Sequence, residues 1–303
     1  MRGLALEYAT RRNAVAICDR SPMQVAACVV RDGAGRVLLS RRRPDQMSGG
    51  YWEIPGGKVE PDEDTAEAAA RELLEETGLR AGELRPVLRY RYRFPARCLD
   101  LHFYEATAWS GAPLGREGQR LEWVSPDAPL VGPILGSNIR ILRLLGLPRR
   151  VSCVKPPAGD PMIWAREVAE RARAEGAGAV LLRARGLAPT QQISLARRLG
   201  AEVARQRISL WFDAAPGLAG RTLASLSVSR PREQIHGADD TVRAVLTDNP
   251  AAAADADLCI VPFGPRDTTL PQGSGPIVYA LTESGLAEQA LRAGAFGVCV
   301  RDV

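Results

Sequence analysis

Three glutamates, Glu72, Glu75 and Glu76, are close enough along the chain to bind one divalent cation if the segment is helical. Side by side on a helix, their charges repel one another, which weakens the helix and raises the glutamate pKa values. A hard cation such as Mg²⁺ or Mn²⁺ removes this conflict, because it prefers oxygen ligands and usually completes its coordination with water and substrate phosphates. Arg71 precedes Glu75 at the helical spacing that pairs opposite charges. The alternative interpretation is the solvated face of an amphipathic helix.

The helix that carries these glutamates has a start signal and a stop signal. Asp64 is a favourable N-cap residue, and Glu67 completes a capping box. Gly78 predicts the end of the helix. Small and apolar residues recur at helical spacing on the opposite face, which we expect to pack against a core: Ala66, Ala69, Ala70, Leu73 and Thr77.

The residues around this helix match the Nudix box, G-x5-E-x7-R-E-U-x-E-E-x-G-U, in which U is an apolar residue. The matching residues are Gly57, Glu63, Arg71, Glu72, Leu73, Glu75, Glu76, Gly78 and Leu79. The segment therefore resembles the Nudix hydrolases. The resemblance implies metal-dependent hydrolysis of a phosphoanhydride bond in a nucleoside diphosphate that carries a further group. Gly56 and Gly57 have no side chains, so a backbone carbonyl there can approach the metal.

The flanking segments predict a mixed sheet with a helix on either side, an α/β/α sandwich. The Asp32-Gly33 turn signal predicts a β-hairpin between two apolar runs. The predicted strands of this half cover residues 25–30, 37–40, 87–94, 98–109 and 121–124, and a closing helix covers residues 134–145.

Four residues outside the box narrow the resemblance to the MutT type of Nudix hydrolase. The loop over residues 111–119 is similar to the MutT loop whose glutamate reaches the metal, which gives that role to Glu117. The same resemblance implies that Arg42 contacts the nucleotide and that Asn138 hydrogen-bonds the oxidised purine. Ile54 takes the place of an apolar residue against the base. As an alternative, Glu117 and Asn138 are loop residues satisfied by their own backbone.

The MutT resemblance implies a pyrophosphohydrolase that converts 8-oxo-dGTP to 8-oxo-dGMP and pyrophosphate with Mg²⁺ or Mn²⁺, and so protects DNA from mutation. Another Nudix substrate, a nucleoside diphosphate derivative of a different kind, is the main alternative. A non-catalytic binding module is a second alternative, against which the complete set of carboxylates argues.

The second half of the chain alternates β-like and helical runs, which favours a small (β/α)₈ TIM-like barrel. About 150 residues are few for a barrel that usually needs ~200 or more, so we expect several helices to be short or missing. An open α/β sheet is the alternative. The predicted strands cover residues 151–154, 179–182, 208–212, 223–228, 244–246, 258–263, 277–281 and 297–300. We therefore divide the chain into an N-terminal extension (1–22), a Nudix domain (23–148) and a barrel (149–303).

The second half resembles thiamine-phosphate synthase, best over residues 254–297. Where that family has a Gln-Leu-Arg-x-Lys strand end, this chain has Leu181-Leu182-Arg183-Ala184-Arg185. Phe212 replaces the asparagine ahead of Asp213. Losing the phosphate-binding lysine and glutamine removes charge-assisted contacts. We expect the barrel to be non-catalytic, with thiamine-phosphate synthesis as the alternative.

Composition limits the remaining possibilities. A hydrophobic content of 46% and a charged content of 25% are typical of a globular protein, and no apolar run approaches the ~20 residues of a membrane span. Residues 1–22 lack the apolar stretch of a secretory signal. The net charge is +5, but the arginines are dispersed, which argues against direct nucleic-acid binding and leaves the nucleotide as the expected partner.

The six cysteines contain no CxxC pair, so we expect reduced core residues in the cytoplasm. We interpret His102 and His236 as structural, and the oligomeric state stays open.

Overall fold

A computed structural model of the protein describes residues 22–94, 97–126, 129, 131–215, 218, 222, 224, 226–229, 243–248, 256, 258–267, 269–270 and 277–301. The predicted extension over residues 1–22, apart from Pro22, and His236 lie outside these ranges. The chain divides into two compact units, residues 1–147 and 148–303.

The first unit is built on a mixed four-stranded sheet. Its strands are β1 (Met23–Val29), β4 (Gly56–Lys58), β6 (Leu84–Phe94) and β7 (Arg97–Ala106), in the order β4-β1-β7-β6. β1 pairs with β7 in parallel, and the other two pairs are antiparallel. A second sheet has the order β3-β2-β9, with β2 (Val37–Arg41), β3 (Trp52–Glu53) and β9 (Leu121–Val124). β5 (Arg80–Ala81) and β8 (Trp109–Ser110) form a short antiparallel pair.

Helix α1 (Thr65–Thr77) begins and ends where the sequence predicts. The Asp64 side chain accepts hydrogen bonds from the backbone N–H groups of Ala66 and Glu67, and Glu67 reaches back in a capping box. Gly78 ends the helix in the left-handed conformation, at φ 73°. One correction concerns its apolar face, where Ala68 is fully buried and Ala66 is only half-buried.

The two sides of the four-stranded sheet carry different helices. Ala26 and Cys28 of β1 share a core cluster with Leu73 of α1. Successive strand residues point to opposite faces, so Tyr90 of β6, which pairs with Leu101, points to the face away from α1. Its hydroxyl donates to a backbone carbonyl of α2 (Gly136–Leu145). This places one helix on each face of the sheet.

The predicted hairpin of β1 and β2 is correct only at its turn. An isolated antiparallel bridge joins Arg31 to Val37, but β1 then pairs with β4 and β7, while β2 pairs with β3 and β9. The two strands separate because their partners come from distant parts of the chain. The single strand predicted over residues 98–109 is likewise two strands, β7 and β8.

The second unit contains a curled sheet of parallel strands whose pairing runs from β10 through β17 and returns to β10. The strands are β10 (Arg150–Val154), β11 (Ala179–Arg183), β12 (Ser209–Asp213), β13 (Leu226–Ser229), β14 (Arg243–Leu246), β15 (Leu258–Pro262), β16 (Ile277–Thr282) and β17 (Gly297–Arg301). Each overlaps a strand predicted from the sequence. Its helices are α3 (Pro161–Ala174), α4 (Pro189–Arg205) and α5 (Ala287–Arg292).

The sequence predicts a small (β/α)₈ TIM-like barrel in which several helices are short or missing. Across the parts of this unit that the structure describes, three α-helices accompany the strands, whereas a full TIM barrel has eight. The described parts of the second unit therefore form an α/β structure with a curled parallel sheet and fewer helices than strands.

The cysteines differ in their state. Cys28, Cys153, Cys259 and Cys299 are buried and belong to no disulfide, as expected for reduced core residues. Cys98 lies half-buried at the start of β7 and is disulfide-bonded, which corrects the expectation that all six are reduced.

Among the residues that the structure describes, no helix has both the length and the apolar character needed to cross a bilayer.

Candidate active site

Arg71 joins the helix to the loop that precedes it. Its Nη1 lies 3.0 Å from a carboxylate oxygen of Glu72 and 3.0 Å from one of Glu75, so the predicted pair with Glu75 is present. Its Nε and Nη2 bond both oxygens of Glu63 at 2.8 and 3.0 Å, and Nη2 also donates to the carbonyl of Lys58 at 3.0 Å. These bonds raise the pKa of Arg71, first through Glu63. A single guanidinium thus fixes two of the predicted metal ligands.

Glu76 is the least compensated carboxylate of this region. Its Oε2 atom is buried and has no hydrogen-bond partner among the described residues. Burial, followed by the charges of Glu53, Glu72 and Glu117, raises the pKa of Glu76 to about 8, and a backbone hydrogen bond from Gly56 opposes this rise. An anionic oxygen that is buried without a partner is costly, so this position calls for a cation.

The two glycines ahead of the helix make close approaches possible. They belong to β4, where Gly56 pairs with Ala27 and Gly57 with Ala26 of β1. A Cβ atom on Gly57 would lie 2.3 Å from an oxygen of Glu72, and one on Gly56 would lie 2.4 Å from the carbonyl oxygen of Ala26. A side chain at position 56 would therefore collide with the β1 backbone, and one at position 57 would displace the Glu72 carboxylate, a predicted metal ligand.

Glu117 lies on the loop that follows β8 and faces the same group of charges. Its charge contributes to the raised pKa values of Glu72 and Glu76, for both of which burial is the first cause. Its side chain is 45% exposed, and its Oε2 lies 3.8 Å from Nη1 of Arg43. Over the described parts of the chain, acidic, histidine and cysteine side chains form no ready-made group of three metal ligands.

The donor set nevertheless fits a hard divalent cation. All the side chains concerned are carboxylates. The buried Oε2 of Glu76 lacks a hydrogen-bond partner within the described ranges, and Gly57 leaves room for Glu72 against β4. Binding a cation would reduce the electrostatic repulsion among these carboxylates.

Glu53 is a buried carboxylate beside the site that our sequence reasoning missed. Both of its oxygens accept hydrogen bonds from Nη1 of Arg42, at 2.6 and 2.8 Å, while Nε of Arg42 donates to the carbonyl of Met47 at 2.7 Å. Burial nonetheless raises the pKa of Glu53. Its strand is only two residues long and shows no periodicity, so the one available signal was its position just before the Ile-Pro-Gly-Gly segment.

Asn138 links the last helix of the unit to the segment after β3. It lies in the first turn of α2. Its Oδ1 accepts a hydrogen bond from the backbone N–H of Ile54 at 2.9 Å, and its Nδ2 donates to Oγ of Ser137 at 3.3 Å. Ile54 is only 2% exposed. The structure thus brings two of the predicted base-binding residues, Asn138 and Ile54, into direct contact.

Comparisons with known proteins agree on the first unit. The NUDIX domain model matches residues 21–145. The 8-oxo-dGTP diphosphatase of Haemophilus influenzae is 34% identical over 127 residues, which are 42% of this chain and 93% of the relative. The CTP pyrophosphohydrolase of Escherichia coli is 36% identical over 39% of this chain and 86% of the relative. The 8-oxo-dGTP diphosphatase of Escherichia coli is 35% identical over 34% of this chain and 80% of the relative. The chain therefore belongs to the Nudix family, as a hydrolase of phosphoanhydride bonds.

Proposed function

We propose that the first unit is a Mg²⁺- or Mn²⁺-dependent pyrophosphohydrolase of oxidised guanine nucleotides, which converts 8-oxo-dGTP to 8-oxo-dGMP and pyrophosphate. The observation that carries the proposal is the buried Oε2 of Glu76, which has no hydrogen-bond partner in the described part of the chain and lies in the field of Glu72 and Glu117. By removing a mutagenic precursor from the nucleotide pool, such an enzyme would protect replicating DNA.

In this proposal each residue has a defined task. Glu72, Glu75, Glu76 and Glu117 hold the cation, with backbone atoms of Gly56 and Gly57 beside them. When bound, the cation neutralises phosphate charge and acidifies a water molecule. One carboxylate of this set accepts a proton from the attacking water molecule. At the same time, the oxygen of that water forms a bond to an internal phosphorus of the nucleotide. The P–O bond to the departing group then breaks, and pyrophosphate leaves.

Arg71 acts as a positioning residue in this scheme. Its bonds to Glu63 and the Lys58 carbonyl fix the guanidinium, and its Nη1 then holds one oxygen each of Glu72 and Glu75. The second oxygen of each glutamate stays available for the cation. Fixing ligands before the cation binds reduces the entropy lost on binding.

Arg42, Asn138 and Ile54 are proposed to bind the nucleoside part. The Arg42 guanidinium is held by Glu53 and the Met47 carbonyl, which orients its remaining donor, and Asn138 is anchored to the Ile54 backbone. Oriented donors suit the recognition of a polar base edge, because a site built to hydrogen-bond a group rejects analogues that lack it. The relationship to a CTP pyrophosphohydrolase makes CTP the second candidate substrate.

A panel of nucleotides tests the proposal directly. The full-length protein is incubated with 8-oxo-dGTP, dGTP and CTP, each with Mg²⁺, Mn²⁺ or EDTA, and pyrophosphate is measured separately from orthophosphate. We expect pyrophosphate release that requires the cation and is fastest with 8-oxo-dGTP. Faster hydrolysis of CTP would favour the second candidate, and activity in EDTA would contradict the metal-dependent mechanism.

Substitution of the predicted base-binding residues should reduce discrimination more than catalysis. For Arg42→Ala and Asn138→Asp, we expect the ratio of kcat/KM for 8-oxo-dGTP over dGTP to fall by at least ~10-fold. Asn138→Asp keeps an oxygen acceptor for the Ile54 N–H, so it separates recognition from the structural link. Equal losses of kcat/KM on both substrates would refute the recognition role.

For the second unit we propose a supporting or regulatory role without thiamine-phosphate synthesis. Asp213 is only 1% exposed, and its carboxylate lies 2.5 Å from Nε of Arg185 and 3.6 Å from Nε of Arg183. An aspartate held between two guanidinium groups is a poor ligand for Mg²⁺. This pairing, together with the loss of the lysine and the glutamine, supports a non-catalytic domain.

The full-length Glu76→Gln protein is incubated with Mg²⁺ and the two substrates of thiamine-phosphate synthase, a pyrimidine diphosphate and a thiazole phosphate. We expect no thiamine phosphate to form. The Glu76→Gln background prevents the first unit from consuming the diphosphate. Product formed above the rate without enzyme would contradict a non-catalytic second unit.

A further inference from the structure

The loop that carries Glu117 is attached to the end of α1. The backbone N–H of Leu114 donates to the carbonyl of Thr77, and the N–H of Arg116 donates to the carbonyl of Glu76, both at 2.9 Å. These carbonyls belong to the last turn of the helix, which has no intrahelical partners for them. The loop therefore caps the helix that supplies the other three carboxylates.

The side chain of Gln119 connects the two segments a second time. Its Oε1 accepts a hydrogen bond from the backbone N–H of Glu117 at 2.9 Å, and its Nε2 donates to the backbone carbonyl of Glu76 at 3.1 Å. Each end of the amide thus meets a complementary group, which fixes its orientation. The two residues that Gln119 joins are both proposed metal ligands.

The backbone around Gln119 leaves little freedom for this bridge to move. A Cβ atom on Gly115 would lie only 1.8 Å from the carbonyl oxygen of Gln119, so the loop closes tightly on itself at this glycine. Gly118, between Glu117 and Gln119, has φ of 80°, a conformation that glycine adopts without strain. The hydrogen bond from Gln119 to the Glu76 carbonyl is partly buried, where competition from water is reduced, while the one from the Glu117 N–H is exposed.

We propose that Gln119 is a positioning residue that sets the separation of Glu117 from Glu76 and so tunes cation binding by the two carboxylates. This inference rests on the proposed function of the carboxylate cluster. Residues that orient metal ligands typically affect metal affinity or activity by 10–100-fold when replaced. A residue that only stabilised the loop would not change cation affinity selectively.

The test compares Gln119→Met, which keeps the length of the side chain but forms neither hydrogen bond, with the wild type as full-length proteins. Mn²⁺ binding is measured by electron paramagnetic resonance without nucleotide. We expect the Kd for Mn²⁺ to rise about 10-fold. We also expect the amide proton of Glu117 to exchange at least ~10-fold faster in the metal-free protein, because its acceptor is lost. A Kd within twofold of the wild type would overturn the proposal.

A matched control is available in the second unit. The Oε1 of Gln191 accepts a hydrogen bond from the backbone N–H of Ala188 at 3.2 Å, so Gln191→Met removes a comparable link far from the carboxylates in sequence. This variant should leave Mn²⁺ binding unchanged. If Gln119→Met does not fold, Gln119→Glu takes its place, since it keeps the acceptor for Glu117 and loses the donor to Glu76.

The nucleotide assay separates failure of this inference from failure of the proposed function. Wild-type protein that binds Mn²⁺ but hydrolyses none of the nucleotides would reject the proposed function, while the Mn²⁺ titration of Gln119→Met would still decide the role of Gln119. In an active enzyme, Gln119→Met should need about 10-fold more Mg²⁺ for half-maximal rate, with kcat at saturating Mg²⁺ within ~3-fold of the wild type. A rate that is lower at every Mg²⁺ concentration, while the Mg²⁺ concentration for half-maximal rate is unchanged, would count against a positioning role of Gln119.

Discussion

Glu76→Gln should lower kcat at saturating Mg²⁺ by at least ~10²-fold, because a neutral amide does not replace a metal-bound carboxylate in a charge-balanced cluster. The measurement is pyrophosphate release from 8-oxo-dGTP over a range of Mg²⁺ concentrations. Glu83→Gln, an exposed glutamate of the same unit, is the control for the loss of one charge and should be as active as the wild type. Near wild-type turnover of Glu76→Gln would reject Glu76 as a metal ligand.

The same substitution should stabilise the metal-free protein at alkaline pH. The pKa of Glu76 is raised from 4.5 to about 8 in the folded state, mainly by burial, so between these values the folded protein retains a proton that the unfolded chain has lost. The free energy of unfolding therefore falls as the pH rises through this window. In EDTA at pH 8, we expect a higher Tm for Glu76→Gln than for the wild type, and a smaller dependence of Tm on pH. A lower Tm for Glu76→Gln than for the wild type would show that the ionised carboxylate of Glu76 does not destabilise the folded protein.

The second large effect is expected from Gly57→Ala, which should reduce kcat by about 10²-fold. The new Cβ would lie 2.3 Å from a carboxylate oxygen of Glu72, so Glu72 must move from the place where Arg71 holds it. A displacement of about 1 Å in a catalytic site can cost 10²-fold in rate. Steady-state kinetics with 8-oxo-dGTP and Mg²⁺ provide the measurement.

Gly33→Ala is the matched control for this variant. A Cβ on Gly33 meets nothing within 4 Å, and its backbone is not in the left-handed region. We expect its kcat to be within about twofold of the wild type. If Gly57→Ala were equally active, the packing of Glu72 against β4 would not matter for catalysis.

The local features of the site could be predicted from the sequence because they depend on neighbouring residues. The capping box of Asp64 and Glu67, the end of α1 at Gly78 and the pair of Arg71 with Glu75 are all interactions within a few residues. Such interactions depend on side-chain type and helical spacing alone. Each is present in the structure.

The features that were missed depend on contacts between distant segments. Glu53 gains its role from Arg42, which approaches it only after β2 and β3 pair. The separation of β1 and β2 into different sheets depends on β7 and β9, which follow much later in the chain. The strands of the second unit were easier to predict, because buried parallel strands are continuous apolar runs.

The hydrogen bonds of Arg71 affect how quickly the site can bind and release its cation. A guanidinium keeps its charge at every pH at which proteins fold, so Glu72 and Glu75 have a permanent counter-charge. Because Arg71 also joins Glu63 and the Lys58 carbonyl, the loop before α1 is ordered without help from the solution. An arriving ion then needs movements of side chains but no folding of a segment, so its entry and departure can be fast and reversible. The enzyme would therefore follow changes in cellular Mg²⁺ without a lag.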